Sequence, residues 1–295
     1  MATANFASAR ENMILLEDLH SIVLNATEKN PNVRHTLARL CLLDQERTLT
    51  LMEIITSLTK PGDVAIDLGA GTGILGFAFL NAGGEMLYAV EENPGLAKHM
   101  EDVAKTLGYW GRVSIHVADA CKFASPRNAD VVISEMIETG LLAESSFYAM
   151  GNARRHINQG ARFIPQTAVS GVTLYDGKQS LSATRTYDEV DFMASTDNFV
   201  DKSLDFTIEN SGFLKYARIH TELIFPNGQT TEHIGRFCHP FNIRLRILDA
   251  RSQSRAYSGY SDLFGPKVLP GDKVTLRIKY TYGNNVKNFF ATIKD

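Results

Sequence analysis

The sequence predicts an α/β protein with N-terminal helices, a Rossmann-like doubly wound sheet, and then an antiparallel β-barrel or β-sandwich. Three patterns predict this class. Apolar residues recur at helical spacing over residues 10–60, short apolar runs alternate with helical stretches over 64–164, and period-two runs rich in β-branched and aromatic residues follow. The expected domains are helices in 1–62, the doubly wound sheet in 63–164 and the β-rich part in 165–295.

The composition is that of an ordinary globular protein. The 295 residues are 44% hydrophobic and carry a formal net charge of −3, which gives no general electrostatic reason to bind nucleic acid or an anionic membrane. The three cysteines are odd in number and far apart, which fits reduced thiols inside a cell. The N-terminus lacks the pattern of a signal peptide, and no stretch reaches the ~18 apolar residues of a membrane span. We expect a cytoplasmic protein with neither nucleic acid nor a membrane as partner.

Turn residues divide the helical zone at the start of the chain. Asn30-Pro31 separates the first helices, and Lys60-Pro61-Gly62-Asp63 ends the zone. We therefore expect two or three helices before the first strand.

In the middle zone, the alternation predicts βαβ units. A first strand begins at Val64, further strands are expected at 86–90, 113–117 and 130–133, and helices at 94–107 and 144–157. Right-handed crossovers place the C-terminal ends of parallel strands on one edge, where an open α/β sheet binds its ligand.

The last zone is expected to form antiparallel strands at 167–175, 216–225, 231–238, 243–248, 273–282 and 286–293. Pro226-Asn227-Gly228 and Gly283-Asn284-Asn285 are hairpin turn signals between pairs of these runs. The acidic run 187–191 is expected to be a solvated loop.

A glycine-rich turn follows the first strand of the middle zone. Asp67 closes that strand, and Gly69, Gly71 and Gly73 precede an apolar helix that starts near Ile74. Glycines let the backbone approach a ligand closely and adopt positive φ. Residues 71–76 also satisfy the dinucleotide pattern G-x-G-x-x-G, so a nicotinamide-dependent oxidoreductase is one candidate. A carboxylate at the position of Asp67 would repel a pyrophosphate and attract an ammonium group, which favours a zwitterionic or cationic ligand.

Acidic residues also follow the next two strands. Glu91 ends the second strand and can accept hydrogen bonds from both ribose hydroxyls. Asp119, with Ala120 beside it, follows the third strand, where its carboxylate can accept from an adenine amine. In series with the glycine turn, these acids favour a nucleoside ligand.

These residues resemble the S-adenosylmethionine site of class I methyltransferases, with Asp-Leu-Gly-Ala-Gly-Thr-Gly at 67–73 as the central motif. After the fourth strand, Glu135 and Glu144 stand nine positions apart, which is similar to the double-glutamate loop of the protein arginine methyltransferases. Residues 42–49 resemble the helix of that family whose arginine reaches the cofactor carboxylate, and Arg47 is the match. The Asn/Asp-Pro-Pro-aromatic box of base-modifying enzymes is absent from this position.

The resemblance implies an N-methyltransferase with S-adenosylmethionine as cofactor. Glu135 and Glu144 would bind a guanidino or amino acceptor, and the cofactor-binding set would be Arg47, Asp67, Gly69, Gly71, Gly73, Glu91, Asp119 and Ala120. Two carboxylates can pair with a guanidinium and localise its charge away from the attacking nitrogen. Glu138, in the same loop, is expected to be a solvated acid.

Several features depart from the family pattern and leave the acceptor open. Met136 follows Glu135 where the family has tryptophan, the family's Thr-His-Trp motif is absent, and the chain is short between Leu174 and Leu204, where the family has its dimerisation arm. A free guanidine, an amine or another small molecule is therefore as plausible an acceptor as a protein arginine. The assembly is left open, with a homodimer as one option.

Other readings stay open as well. A non-catalytic module that senses cofactor or a partner would keep the fold, although it would not need the glutamate pair. His233, Cys238 and His239 lack the paired spacing of a zinc site, so we predict no metal. Tyr257 and Tyr260 are expected to pack within the β-rich part.

Overall fold

The computed structural model describes residues 13–230, 241–248, 265–284 and 286–294. The predicted strand at 231–238 and the residues His233, Cys238, His239, Tyr257 and Tyr260 lie outside these ranges.

Three helices open the described chain: α1 (Leu16–Lys29), α2 (Leu37–Leu43) and α3 (Gln45–Leu58). Thr36 caps α2 by accepting a hydrogen bond from the backbone N–H of Arg39. Asp44 caps α3 by accepting from the N–H of Arg47, so the cap fixes the turn of helix that carries that arginine. The N-terminal zone thus has the expected helical character.

The central sheet has five parallel strands in the order β3-β2-β1-β4-β5. The strands are β1 (Val64–Leu68), β2 (Met86–Glu91), β3 (Val113–Val117), β4 (Ala129–Ser134) and β5 (Ile157–Ile164). The helices between them are α4 (Ile74–Asn81), α5 (Pro94–Thr106) and α6 (Ser146–Ala153). Every residue of β1 and of α4 is buried, because each packs against neighbours on all sides. The doubly wound sheet expected from the sequence is confirmed.

The edge strand β5 departs from the expectation. The helix expected at 144–157 ends at Ala153, and a strand follows after one turn of 3₁₀-helix at Arg154–His156. The first half of β5 is polar and largely exposed, and Gly160 has a φ of 79°. An exposed edge strand lacks the continuous apolar run that marks a buried parallel strand, so its sequence pattern is weak.

Within the described ranges, the C-terminal part contains two four-stranded sheets, β11-β10-β6-β7 and β12-β15-β14-β8, with β13 and β9 paired separately. Their strands are β6 (Thr167–Tyr175), β7 (Arg185–Asp191), β8 (Phe199–Thr207), β9 (Gly212–Phe213), β10 (Tyr216–Ile224), β11 (Phe241–Arg244), β12 (Arg246–Leu248), β13 (Lys267–Val268), β14 (Lys273–Thr281) and β15 (Phe290–Lys294). The pairs are antiparallel except for β12 with β15.

The prediction of a solvated loop at 187–191 is wrong, because these residues lie in β7. Tyr187 and Val190 are buried in that strand, and Asp188 accepts a hydrogen bond from the hydroxyl of Tyr282 at 2.5 Å. A run of acids suggested solvent exposure, but the pairing of β7 with β6 brings alternate side chains into the core.

None of the helices in the described ranges combines the length and the hydropathy needed to span a bilayer.

Candidate active site

A cleft of about 940 Å³ lies at the C-terminal edge of the central sheet. Loops after β1, β2, β3 and β4 form its walls, together with α2 and the start of α3. Eight of the ten predicted site residues line it: Arg47, Gly69, Gly71, Glu91, Asp119, Ala120, Glu135 and Glu144. The expected convergence of strand ends therefore brings most of the predicted site together.

The glycine turn holds its shape through backbone hydrogen bonds and positive φ angles. The N–H groups of Gly69 and Ala70 both donate to the carbonyl of Val90, at 2.9 and 3.0 Å. Gly69 and Gly71 have φ angles of 69° and 57°, a region that glycine adopts without strain. A Cβ at Gly69 would collide with the sulfur of Met136, so the turn and the loop after β4 are in direct contact.

Asp67 and Gly73 do not line the cleft. Asp67 is buried beneath the turn, where its Oδ2 accepts a hydrogen bond from the N–H of Gly76 at 3.1 Å. Burial raises the pKa of Asp67 to about 7. A Cβ at Gly73 would meet Met100 and the ring of Phe77. Both residues support the turn and the start of α4 from behind.

Glu91 is fixed by two backbone donors. Its Oε2 accepts from the N–H of Gly71 at 2.9 Å, and its Oε1 accepts from the N–H of Asn93 at 2.8 Å. Each carboxylate oxygen still has a second lone pair, which can accept from a hydroxyl in the cleft. Glu91 therefore stabilises the glycine turn and can also bind a ligand diol.

Asp119 lies in the loop after β3. Its Oδ1 accepts from the N–H of Cys121 at 2.9 Å and its Oδ2 pairs with Lys122 at 2.9 Å; the hydrogen bond from Lys122, followed by the one from Cys121, lowers its pKa. The amide of Asn152 on α6 donates to the carbonyls of Ala120 and Phe123, at 3.3 and 2.7 Å. Asn152 was missed by sequence reasoning because its target atoms are backbone carbonyls that carry no side-chain signal.

The loop after β4 carries the two predicted acceptor-binding glutamates. Glu135 forms an ion pair with Arg47, and both side chains are partly buried. Glu144 opens onto the cleft, but the surrounding protein excludes enough water to raise its pKa to about 7. The nearby charge of Glu138 adds to this rise, and Arg47 opposes it.

Glu138 is not the solvated acid expected from the sequence. Its two carboxylate oxygens accept hydrogen bonds from the backbone N–H groups of Ala143 and Glu144, the latter at 3.0 Å. This contact closes the loop on itself and sets the position of the backbone at Glu144. In the sequence, Glu138 and Glu144 are two acids six residues apart, and that spacing does not predict a hydrogen bond between a side chain and a backbone N–H.

Among the described residues, no group of histidine, cysteine, aspartate and glutamate side chains is arranged to hold a metal ion.

Comparison with known proteins adds to this geometry. No family model matches the chain. An uncharacterized protein of Methanocaldococcus jannaschii is 27% identical over 267 residues, which is 84% of this chain and 92% of that protein. An arginine N(omega)-methyltransferase of Streptomyces achromogenes is 28% identical over 120 residues, 39% of this chain and 33% of that enzyme. This chain thus spans nearly all of the archaeal relative but only a third of the named enzyme.

The solved structure of PRMT6 with SAH superimposes with a TM-score of 0.67 at 13% identity, covering 88% of this chain and 98% of that one. The chain has the arginine methyltransferase fold. This confirms the resemblance expected from the motifs and the order of a doubly wound sheet before a β-rich part. Within this fold, the chemistry of the site depends on the residues that this chain places in the cleft.

Proposed function

We propose that this chain is an S-adenosylmethionine-dependent N-methyltransferase of the arginine methyltransferase type, acting on a guanidino or amino nitrogen. One observation carries the proposal most directly. The glycine turn, Glu91 and the two glutamates of the loop after β4 line a single cleft, and the Arg47–Glu135 ion pair joins the two sides of it. The proposed nucleoside site and the proposed acceptor site are therefore adjacent.

The residues present fit the proposed cofactor. Gly69 and Gly71 of the turn line the cleft, Glu91 keeps lone pairs for ribose hydroxyls, and Arg47 can bind a carboxylate. When bound, S-adenosylmethionine would supply an electrophilic methyl group on a sulfonium. Relatives named as arginine methyltransferases, and a structural neighbour solved with SAH, support the same choice.

The charge of the cleft favours a cationic acceptor. Among the described residues that line the cleft, Arg47 is the only lysine or arginine. Seven lining residues are acidic: Asp44, Glu91, Glu92, Asp119, Glu135, Glu138 and Glu144. An excess of negative charge in a concave site raises the local concentration of cations. Guanidines and protonated amines are the acceptors that this field would attract.

The chain's residues contribute mainly position and charge. Methyl transfer from a sulfonium is an in-line displacement in which the nitrogen lone pair forms the new bond to carbon and the carbon–sulfur electron pair leaves with sulfur. Holding the reacting atoms in line can contribute up to about 7–11 kcal/mol. Glu135 and Glu144 would pair with a guanidinium and concentrate its charge away from the attacking nitrogen.

Glu144 can accept the proton that the reaction releases. Methylation of a guanidinium nitrogen leaves one proton in excess on the product, and a carboxylate with a pKa of about 7 can accept it and then release it to water at neutral pH. For a neutral amine, the same carboxylate would accept the ammonium proton.

The experiment has two parts. Calorimetric titration with S-adenosylhomocysteine and with NAD tests the cofactor: we expect binding of the former, and tight binding of NAD alone would instead support an oxidoreductase. Transfer of tritium from labelled S-adenosylmethionine to L-arginine, to an arginine-rich peptide and to a cell extract tests the reaction. Binding without transfer to any of these acceptors would support a non-catalytic module.

Variants then assign the glutamates. Glu135→Gln and Glu144→Gln should each reduce turnover at least about 100-fold, because each removes one of the two charges that bind the acceptor. Affinity for S-adenosylhomocysteine should change little in Glu144→Gln. Glu53→Gln, on the exposed face of α3, is the control. Full activity in Glu135→Gln and in Glu144→Gln would show that these glutamates do not bind the acceptor as proposed.

A further inference from the structure

The loop between Glu135 and Glu144 contains a backbone conformation that needs outside support. Gly140 has a φ of 75°, and Leu141, which is not glycine, has a φ of 53°. A side chain such as leucine rarely adopts positive φ, and such a conformation persists only where surrounding contacts impose it. Leu141 lies three residues before Glu144, so the contacts that fix the backbone of Leu141 also constrain the backbone at Glu144.

Two residues of the β-rich part hold this segment by its backbone. Thr221 on β10 accepts a hydrogen bond from the N–H of Gly140 at 2.7 Å, and its hydroxyl is itself bonded to Ser170 at 2.8 Å. Gly283, just after β14, donates its N–H to the carbonyl of Leu141 at 2.9 Å. Gly140, Leu141 and Thr221 are buried, so water does not compete freely for these bonds.

The turn at Gly283 also contacts the chain on the other side of Glu144. The hydroxyl of Tyr148 on α6 donates to the carbonyl of Tyr282 at 3.0 Å, and the Phe147 ring lies 4.9 Å from the Tyr282 ring. A Cβ at Gly283 would lie 3.3 Å from the carbonyl oxygen of Glu144 and 3.0 Å from the Tyr148 ring. The turn therefore touches residues before Glu144, after it, and Glu144 itself.

The turn has its own anchor in the β-rich part. The hydroxyl of Tyr282 donates to the carboxylate of Asp188 on β7 at 2.5 Å. Tyr280, two residues earlier on β14, bonds to the hydroxyl of Tyr187 at 3.4 Å. The contact surface presented to Glu144 is thus part of the packed sheets and not a loose loop.

We propose that Thr221 and Gly283 are positioning residues, which fix the backbone around Glu144 so that its carboxylate meets the acceptor nitrogen in a productive orientation. The inference rests on the methyl-transfer function proposed above. It makes the β-rich part a component of the active site that acts through Glu144, without touching cofactor or acceptor at these two residues.

Matched variants separate positioning from simple stability. Thr221→Val removes the acceptor for the N–H of Gly140, whereas Thr221→Ser keeps a hydroxyl there. Gly283→Ala introduces a Cβ against Glu144 at a φ of 64°, whereas Gly271→Ala, at the other end of the same strand, has a φ of 95° and no atom within 4 Å of the new Cβ. Both alanine variants strain the backbone, but only one reaches the loop.

The first readout needs no activity. In protein labelled with ¹³C at glutamate carboxyl groups, with Glu144→Gln to assign the signal, the wild-type Glu144 should titrate near pH 7. Thr221→Val and Gly283→Ala should move that midpoint toward the value of an ordinary glutamate, and Thr221→Ser and Gly271→Ala should leave it in place. An unchanged midpoint in both loop-contacting variants would overturn the inference.

The second readout is catalytic. With the acceptor that the wild type methylates, Thr221→Val and Gly283→Ala should lower kcat about 10- to 100-fold, as expected for a small misplacement of a catalytic group. Affinity for S-adenosylhomocysteine should stay within about twofold, and Thr221→Ser should restore turnover. Equal losses in Gly271→Ala and Gly283→Ala would indicate a merely structural effect and overturn the inference.

If the wild type neither binds the cofactor analogue nor transfers methyl, the proposed function fails. The glutamate titration still decides whether the contacts position Glu144.

Discussion

At the scale of single residues, the carboxylates of this protein differ in role because their surroundings differ. Asp67 is buried beneath the glycine turn and has a raised pKa, whereas Asp119 is exposed, paired with a lysine, and has a lowered one. Both carboxylate oxygens of Glu138 accept hydrogen bonds from backbone N–H groups of its own loop. Glu91 combines support of the turn with lone pairs that face the cleft. The residue type alone would not distinguish these four roles.

A prediction at this scale concerns Glu91. Glu91→Gln replaces one carboxylate oxygen by an amide NH₂, which would face a backbone N–H and cannot accept from it. Hydrogen bonds to charged groups contribute about 1.5–3 kcal/mol each, so affinity for S-adenosylhomocysteine should fall about 10- to 100-fold by calorimetry.

Glu85→Gln is the control for that measurement, because Glu85 precedes the same strand and pairs with Arg127 at the surface. Equal affinities in wild type and Glu91→Gln would show that Glu91 is a structural residue only.

At the scale of elements, the glycine turn and the glutamate loop act as one unit. The turn joins β1 to α4, the loop joins β4 to α6, and β1 and β4 are neighbours in the sheet. Met136 of the loop packs directly on Gly69 of the turn. The helix α3, capped by Asp44, adds Arg47 against Glu135. The residues proposed to bind cofactor and acceptor are therefore coupled through direct contacts between these segments.

This coupling predicts a difference between two glycine variants. Gly69 and Gly62 have similar positive φ angles, 69° and 85°, so alanine should cost about 1–2 kcal/mol of backbone strain at either position. Only the Cβ at Gly69 meets Met136, while the Cβ at Gly62 has no neighbour within 4 Å.

We therefore expect Gly69→Ala to weaken binding of S-adenosylhomocysteine about tenfold or more and Gly62→Ala to leave it unchanged, while Gly69→Ala loses at least as much unfolding free energy as Gly62→Ala. The measurements are calorimetry and urea unfolding. Equal binding by both variants would mean that displacement of Met136 does not reach the ligand.

At the scale of the whole molecule, the α/β part and the β-rich part meet around the segment that follows the glutamate loop. Arg154, at the end of α6, donates to the carbonyls of Phe192 and Ser195, the former at 2.9 Å. Together with the bonds at Gly140, Leu141 and Tyr148, these contacts make the loop part of the interface. Changes in the packing of the β-rich sheets can therefore alter the cleft.

The stability of the whole molecule should depend on pH through Asp67. Its pKa is about 7 in the folded protein against 3.8 normally, so between these values the folded state holds a proton that the unfolded state has released. The contribution of Asp67 to stability should be highest below about pH 4, fall as pH rises, and level off above pH 7, by at most about 4 kcal/mol in total.

Asp67→Asn keeps an oxygen to accept from the N–H of Gly76 and removes the charge. The stability of the variant relative to wild type should rise by about 2–3 kcal/mol between pH 5 and pH 8, measured by urea unfolding at both values. A variant with the wild-type difference between pH 5 and pH 8 would show that Asp67 is not the group responsible.

Residues at strand ends could be predicted, and residues at loop contacts could not. Glu91 and Asp119 were found because parallel strands end on a common edge, so distance along the chain does not matter. Thr221 lies 81 residues from Gly140, and the bond between them joins a side chain to a backbone N–H, which leaves no pattern in the sequence. Gly283 was identified only as a hairpin turn, and its contact with Glu144 depends on how the sheets pack. The strand β7 was misassigned because its acids suggested solvent, whereas its neighbours bury it.

The sequence by itself determined the doubly wound sheet, the glycine turn and eight of the residues that line the cleft. Periodicity and the geometry of parallel strands are local rules, and they carry that information. Only the tertiary structure decided that Asp67 supports the turn from behind, that Glu138 closes the loop and that Thr221 and Gly283 hold Glu144. Those roles depend on burial and on contacts between segments far apart in the chain, and burial and long-range contacts exist only once the chain has folded.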